Sequence, residues 1–269
     1  MNKSELIKKI IEKKEFSQLP EKDVEIAFSH FEKRQTSDEE KIRLTRELLH
    51  KVFGSFTSQK LLSPKNKSEE WILRKHLSTR ERLPYYKEVY ERILKEFENK
   101  KINIIDLGAG VNGFSYKYFE KKGDYIAIES VGQLVNLMNN YFKENKISGV
   151  AYHESLFNLK KIKKIILETG VLLPKEPTMV EKVKILRIIF LFKVLDSLEM
   201  LERDYSKKLL KEIAPLADKV VISFATRSMI KQKKFKVERH WILDFIKENF
   251  KVLDDFELGG ERYICFEEE

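Results

Sequence analysis

The feature that most limits what this chain can fold into is the turn Asp106-Leu107-Gly108-Ala109-Gly110-Val111-Asn112-Gly113, directly after the apolar run of residues 102–107. Gly108, Gly110 and Gly113 satisfy G-x-G-x-x-G, a spacing that permits a tight turn and close backbone approach to a ligand between a strand and a helix. Further apolar runs at 125–129, 149–152, 185–192 and 219–224 alternate with segments of helical period, including 116–121 and 131–144. That alternation predicts a mostly parallel sheet covered on both faces. The last two runs, 251–258 and 261–266, flank Gly259-Gly260, a two-residue hairpin turn, so the sheet should end in an antiparallel pair.

Before residue 108 the only glycine is Gly54, and the sequence reads as amphipathic helices. Ser4 is the expected cap of the first, which carries Leu6, Ile7, Ile10 and Ile11. A second follows Pro20 with Val24, Ala27, Phe28 and Phe31 on one stripe. Ser37 with Glu40 has the pattern of a capping box for a third, ending at Gly54. Residues 55–67 look like a linker, Ser68 caps a short helix, and another starts near Pro84. Residues 1–98 therefore read as a helical N-terminal domain, and 99–269 as an α/β domain.

Composition narrows the function classes. Lys and Arg total 52 against 43 Asp plus Glu, a net charge of +9, which favours an anionic partner and says nothing about fold. The lone Cys265 excludes an intramolecular disulfide and a cysteine-cluster metal site, and the five histidines lack metal-ligand spacing, so no metal is expected. Lys8, Lys9, Glu12, Lys13 and Lys14 break the first apolar stretch. Neither a signal peptide nor a membrane span is expected, and a cytoplasmic monomer is the default.

Glu129 ends the second expected strand, where a carboxylate can hold both ribose hydroxyls. With the glycine turn alone this fits a dinucleotide or S-adenosyl-L-methionine. Asp106 before the first glycine suits an ammonium and sulfonium better than a pyrophosphate, and a closing hairpin is the usual finish of methyltransferases. The expected fold is thus α/β, a Rossmann-like class I methyltransferase sheet with an antiparallel C-terminal hairpin, behind a helical N-terminal domain.

A closer likeness lies just upstream. His76-Leu77-Ser78-Thr79-Arg80-Glu81-Arg82-Leu83-Pro84 resembles the H-x-S-T-x-E-R-L-P signature of the 16S rRNA (guanine-N7) methyltransferases of aminoglycoside resistance, the ArmA/FmrO type. Residues 191–199, Leu-Phe-Lys-Val-Leu-Asp-Ser-Leu-Glu, resemble that family's L-x-K-x-L-x-x-L-E stretch, and 221–228 its V-S-F-P-T-[KR]-S strand end. The resemblance covers about residues 70–266; the helical N-terminus matches only in character, and the family's helical ribosome-binding extension implies an rRNA-binding role for residues 1–98.

The resemblance implies that Arg82 grips the methionine carboxylate of the cofactor, a match of guanidinium fork to carboxylate, with Arg80 its rival. It implies that Gly108 lies against the methionine moiety beside Asp106, Ala109 and Gly110, and that Glu129, next to Ser130, binds the ribose. The family usually has Asp at that ribose position. The adenine segment aligns with Glu154-Ser155-Leu156, where the family typically shows Asp-Leu-Leu, so Ser155 stands in place of a carboxylate. Lys231, Lys233, Lys234, Lys236 and Arg239 are candidates for rRNA phosphates, contacts that position RNA without reading sequence. Residues 160–183 look like an insertion.

Guanine N7 is an unprotonated nucleophile, so in-line methyl transfer needs positioning and no obligatory general base. His76, Phe224 and Arg227 are the positioning candidates, and 16S rRNA in the small ribosomal subunit is the expected partner. Two alternatives stand beside this reading: another methyltransferase of the same fold acting on RNA or a small molecule, and a non-catalytic ribosome-binding homologue.

Overall fold

A computed structural model describes residues 1–54, 59–62, 64, 67–98, 100–120, 123–169, 185–227 and 239–269. Seven strands form one sheet: β1 (Ile102–Leu107), β2 (Asp124–Glu129), β3 (Gly149–His153), β4 (Leu186–Phe192), β5 (Lys219–Ala225), β6 (Lys251–Leu258) and β7 (Glu261–Glu267). Their order is β3-β2-β1-β4-β5-β7-β6. β1 to β5 run parallel, and β7 inserts antiparallel between β5 and β6. Every residue of β1 is buried, as befits a central strand covered on both faces. At one edge β6 is largely exposed and carries Lys251, Asp254, Asp255 and Glu257, charges that discourage pairing with another strand.

The helices are α1 (Lys3–Ile11), α2 (Glu21–Glu32), α3 (Asp38–Leu49), α4 (Glu69–Lys75), α5 (Leu77–Arg82), α6 (Tyr86–Leu94), α7 (Gly132–Glu144), α8 (Leu159–Glu168), α9 (Leu195–Leu201), α10 (Tyr205–Ile213) and α11 (His240–Asn249). Each inward stripe follows the helical period. In α6, Tyr86, Val89, Tyr90 and Ile93 are buried, and each such side chain contributes about 1.5–3 kcal/mol of transfer free energy. The buried apolar residues make one continuous cluster, from Leu6 and Val24 through the sheet to Phe266.

Several local expectations change. Asn2, not Ser4, caps α1, in a reciprocal box with Glu5. An Asn one position earlier than the first helical residue competes well for that role, and Ser4 falls inside the helix. α3 passes into a π-helical turn, His50–Gly54, before stopping. The segment after the glycine turn is a 3-10 helix, Asn112–Tyr118, rather than an α-helix at 116–121, because Asn112 and Ser115 spend their side chains on buried local bonds. The helix expected to start near Pro84 is preceded by α5, which takes in most of the His76–Pro84 motif. Of the suspected insertion, residues 159–169 form α8 and its end, and 170–184 lie outside the described residues. No described helix is long and apolar enough to cross a membrane.

Candidate active site

The sheet order reverses between β1 and β4, and a cleft opens at the carboxyl ends of the parallel strands, where a ligand crevice is expected in such a sheet. Counting its open mouth, the cavity holds about 820 Å³. The glycine turn forms its floor. Gly108 and Gly110 have φ of 71° and 56°, a region that side-chain-bearing residues rarely adopt. A Cβ on Gly108 would stand 2.4 Å from Val194 Cγ2, and one on Gly110 2.7 Å from His76 Nε2. The turn therefore packs closely under Val194 and His76, and a side chain on either glycine would collide with them.

Glu129 holds this turn from the end of β2. Its Oε2 accepts from the Gly110 amide at 2.8 Å and its Oε1 from the Val131 amide at 2.8 Å. The longer Glu side chain spans two loops, and its burial pushes its carboxyl upward against those amides. Asp106, at the end of β1, accepts from Asn112 Nδ2 at 2.8 Å and from the Tyr125 hydroxyl. Burial raises its carboxyl also.

The far wall is an ionic network. Arg82 is buried and lies over the Phe192 ring, with its guanidinium carbon 4.4 Å from the centroid. It donates to Glu261 Oε1 at 2.6 Å, Asn112 Oδ1 at 3.2 Å, the Tyr263 hydroxyl at 3.2 Å and Ser78 Oγ at 3.4 Å. Lys193, at the end of β4 with φ 59°, pairs with Glu81 at 2.7 Å and Glu261 at 3.0 Å. Burial pushes the Glu261 carboxyl up, but Arg82 and Lys193 outweigh it and hold it below the usual range. Two cations and two carboxylates thus balance, and an entering carboxylate must share Arg82 with Glu261.

His76, Ser78, Thr79 and Arg82 all line the cleft, with Asp106, Gly108, Ala109, Gly110, Glu129, Ser130 and Leu156. Burial pushes the His76 imidazole down to about 3, so it is neutral at ordinary pH. Ser155 is buried beside the cleft, whereas Glu154 turns to Lys161 at 3.0 Å. Phe224 is buried under Arg239, and Arg227 is exposed near Gly260; neither lines the cleft. Arg239 is held by Asp196 at 2.7 Å and by the Ala225 carbonyl, an ion pair that a phosphate would have to displace. Lys231, Lys233, Lys234 and Lys236 lie outside the described residues.

Four contributors escaped the sequence reading. Lys193 sat in a quoted motif without a role, although its place at a strand end was a usable signal. Asn112, within the glycine turn, joins Asp106 to Arg82, a role that its place in the motif does not announce. Glu261 and Asp23 gave no local sign. Asp23 comes from α2 and lines the cleft with Val52 and Phe53, so the N-terminal helices form one of its walls. Lys22 Nζ donates to the Phe157 carbonyl at 2.7 Å, and the Gly132 amide to the Gln18 carbonyl at 3.1 Å, fixing that wall. Among the described residues, no cluster of His, Cys, Asp and Glu is built to hold a metal.

No family model matches the chain, and no curated protein matches it. Solved structures do. It is similar to the 16S rRNA methyltransferase RmtF in complex with S-adenosyl-L-homocysteine, at a TM-score of 0.76 and 18% identity over 100% of both chains. The 16S rRNA methylase RmtB superposes with a TM-score of 0.72 and 16% identity, over 100% of this chain and 99% of that one. An rRNA methylase from Escherichia coli gives 0.72 and 16% over 100% of both. The chain has the Rossmann-like class I methyltransferase fold with its C-terminal hairpin, and the likeness extends through the helical N-terminus.

Proposed function

We propose that this chain is an S-adenosyl-L-methionine-dependent methyltransferase that acts on N7 of a guanine in the decoding site of 16S rRNA, within the small ribosomal subunit. The observation that carries the reading is the convergence of His76, Ser78, Thr79 and Arg82 on the same cleft as the glycine turn and Glu129. That stretch resembled the family signature in sequence, and four of its side chains meet where a cofactor would bind. Full-length likeness to three rRNA methylases supports the same reading.

The residues fit the cofactor. The glycine turn, Glu129 and Arg82 all line one cleft, where Glu129 offers its carboxylate to ribose hydroxyls and Arg82, shared with Glu261, offers its guanidinium to a carboxylate. When bound, the cofactor supplies an electrophilic methyl group on a sulfonium. That methyl group would go to guanine N7, whose own lone pair calls for no general base. The protein's part is to hold the donor, exclude water and present the base. A neutral, buried His76 suits that division, since it packs against Gly110 and shapes the turn without trading protons.

Residues 1–98 form the unit proposed to face the ribosome, and the Lys231, Lys233, Lys234, Lys236 run adds phosphate contacts. Incubation of the purified chain with 30S subunits and methyl-labelled S-adenosyl-L-methionine tests the reading. Label is expected in 16S rRNA. Tight binding of S-adenosyl-L-homocysteine without any labelled rRNA would leave a methyltransferase of another substrate.

A further inference from the structure

Asp23 is the one acidic side chain of the N-terminal helices that lines the cleft. It stands in the first turn of α2, where an exposed carboxylate would be ordinary, yet it is only 1% exposed. Its Oδ1 accepts from the Ser155 hydroxyl just beyond β3. Ser155 is itself anchored, since its Oγ also accepts the Phe157 amide at 3.1 Å. The other oxygen, Oδ2, is buried and has no hydrogen-bond partner. Ser130 also hydrogen-bonds to this carboxyl, and its hydroxyl lies 3.5 Å from the Glu154 carbonyl as well.

A buried carboxylate oxygen without a donor is costly, and such an atom in a cleft asks for a ligand N–H. The cleft around it also specifies the ligand's shape. Leu134, Leu156, Phe157 and Leu201 supply apolar surface, and Ser130 follows Glu129 directly in sequence. A flat heteroaromatic ring with one exocyclic amine, attached to a ribose held by Glu129, satisfies both demands. Arg82 and Lys193 belong to the separate, internally paired ionic network with Glu261 and Glu81.

We propose that Asp23 is the adenine-specificity residue of this site: reaching in from the N-terminal helical unit, its Oδ2 accepts the exocyclic amino group of the cofactor. Ser155 does not read the base; it holds Asp23 in place. The inference rests on the S-adenosyl-L-methionine reading above and deepens it, because it makes the N-terminal unit part of the cofactor site.

The test is calorimetry on the full chain with two probes, S-adenosyl-L-homocysteine and its deaminated counterpart S-inosyl-L-homocysteine, which carries a carbonyl where the amine was. The wild type should prefer the adenosyl compound. Asp23→Asn, which offers an amide N–H in place of Oδ2, should bind the adenosyl compound roughly tenfold to hundredfold more weakly, the loss expected for one hydrogen bond to a charged group. Its preference should shrink or invert, as the amide can donate to the inosyl carbonyl. Asp23→Ala is the second variant and should abolish the preference without inverting it. Equal loss for both probes would assign Asp23 a packing role and overturn the proposal. Unchanged adenosyl preference in a folded variant would also overturn it while leaving the cofactor reading intact. Failure of the wild type to bind either probe would overturn both.

Discussion

Arg82 and Glu261 illustrate why a binding residue in this site cannot be tested by simple truncation. Each is at most 2% exposed, and each is the other's nearest opposite charge at 2.6 Å. Removing one partner of a buried pair strands the other, so Arg82→Ala should cost about 3–5 kcal/mol in urea unfolding, besides any loss of ligand affinity. The double variant Arg82→Met with Glu261→Gln should recover much of that stability and still bind S-adenosyl-L-homocysteine weakly. His76 and Asp23 make opposite pH predictions. The His76 imidazole falls from 6.5 to about 3 on folding, so the folded state binds fewer protons across that window. Stability should decline as pH falls below 6.5, by roughly 3 kcal/mol at pH 4, and His76→Gln should flatten the slope. Asp23 rises from 3.8 to about 6, chiefly through burial, so the folded state binds more protons and stability is lost as pH climbs through that range. In the ligand-free protein Asp23→Asn should therefore gain about 1–2 kcal/mol at pH 8, seen as a higher unfolding midpoint.

At the scale of elements, the glycine turn and β1 were legible because their requirements are local. Positive φ at Gly108 and Gly110, and unbroken burial along residues 102–107, follow from residue types in fixed order. The parallel strands and final hairpin were legible for the same reason. Side-chain competition was not: Asn112 and Ser115 turn the next segment into a 3-10 helix through bonds to Asp106 and to the Asn112 carbonyl, and no helical period announces that. Asp23 was hidden more deeply. In sequence it is a favourable first-turn acid, and only the packing of α2 against the segment after β3 gives it Ser155 as a partner, 132 positions away. Glu261 likewise reads as the first residue of the closing hairpin strand until Arg82 arrives from α5. The turn itself yields a prediction. Gly110→Ala puts a Cβ against His76 and strains φ, so it should weaken S-adenosyl-L-homocysteine binding by about tenfold or more. Adding His76→Ala should restore part of that affinity by removing the clash, which calorimetry on the two variants would measure.

Across the whole molecule, the boundary at residues 98 and 99 separates two kinds of sequence but not two cores. Buried residues from α1 and α2 join those of the sheet in one cluster, and α2 supplies part of the cleft. Cofactor binding should consequently protect amides in α2 and residues 50–54 from hydrogen exchange, together with the glycine turn. Protection confined to residues 100–200 would contradict a shared site. The surplus of nine positive charges gains meaning only where it meets phosphate. Charge reversal at Lys233 and Lys234 should weaken 30S binding and reduce its salt dependence while leaving S-adenosyl-L-homocysteine affinity unchanged. Methylation at N7 is tested by reacting 30S subunits with the purified chain and S-adenosyl-L-methionine, then cleaving the 16S rRNA by chemistry selective for N7-methylguanine. A single new scission at a decoding-site guanine, absent without cofactor, is the predicted result. Methylated 16S rRNA with no N7-specific cleavage, or cleavage remote from the decoding site, would contradict it.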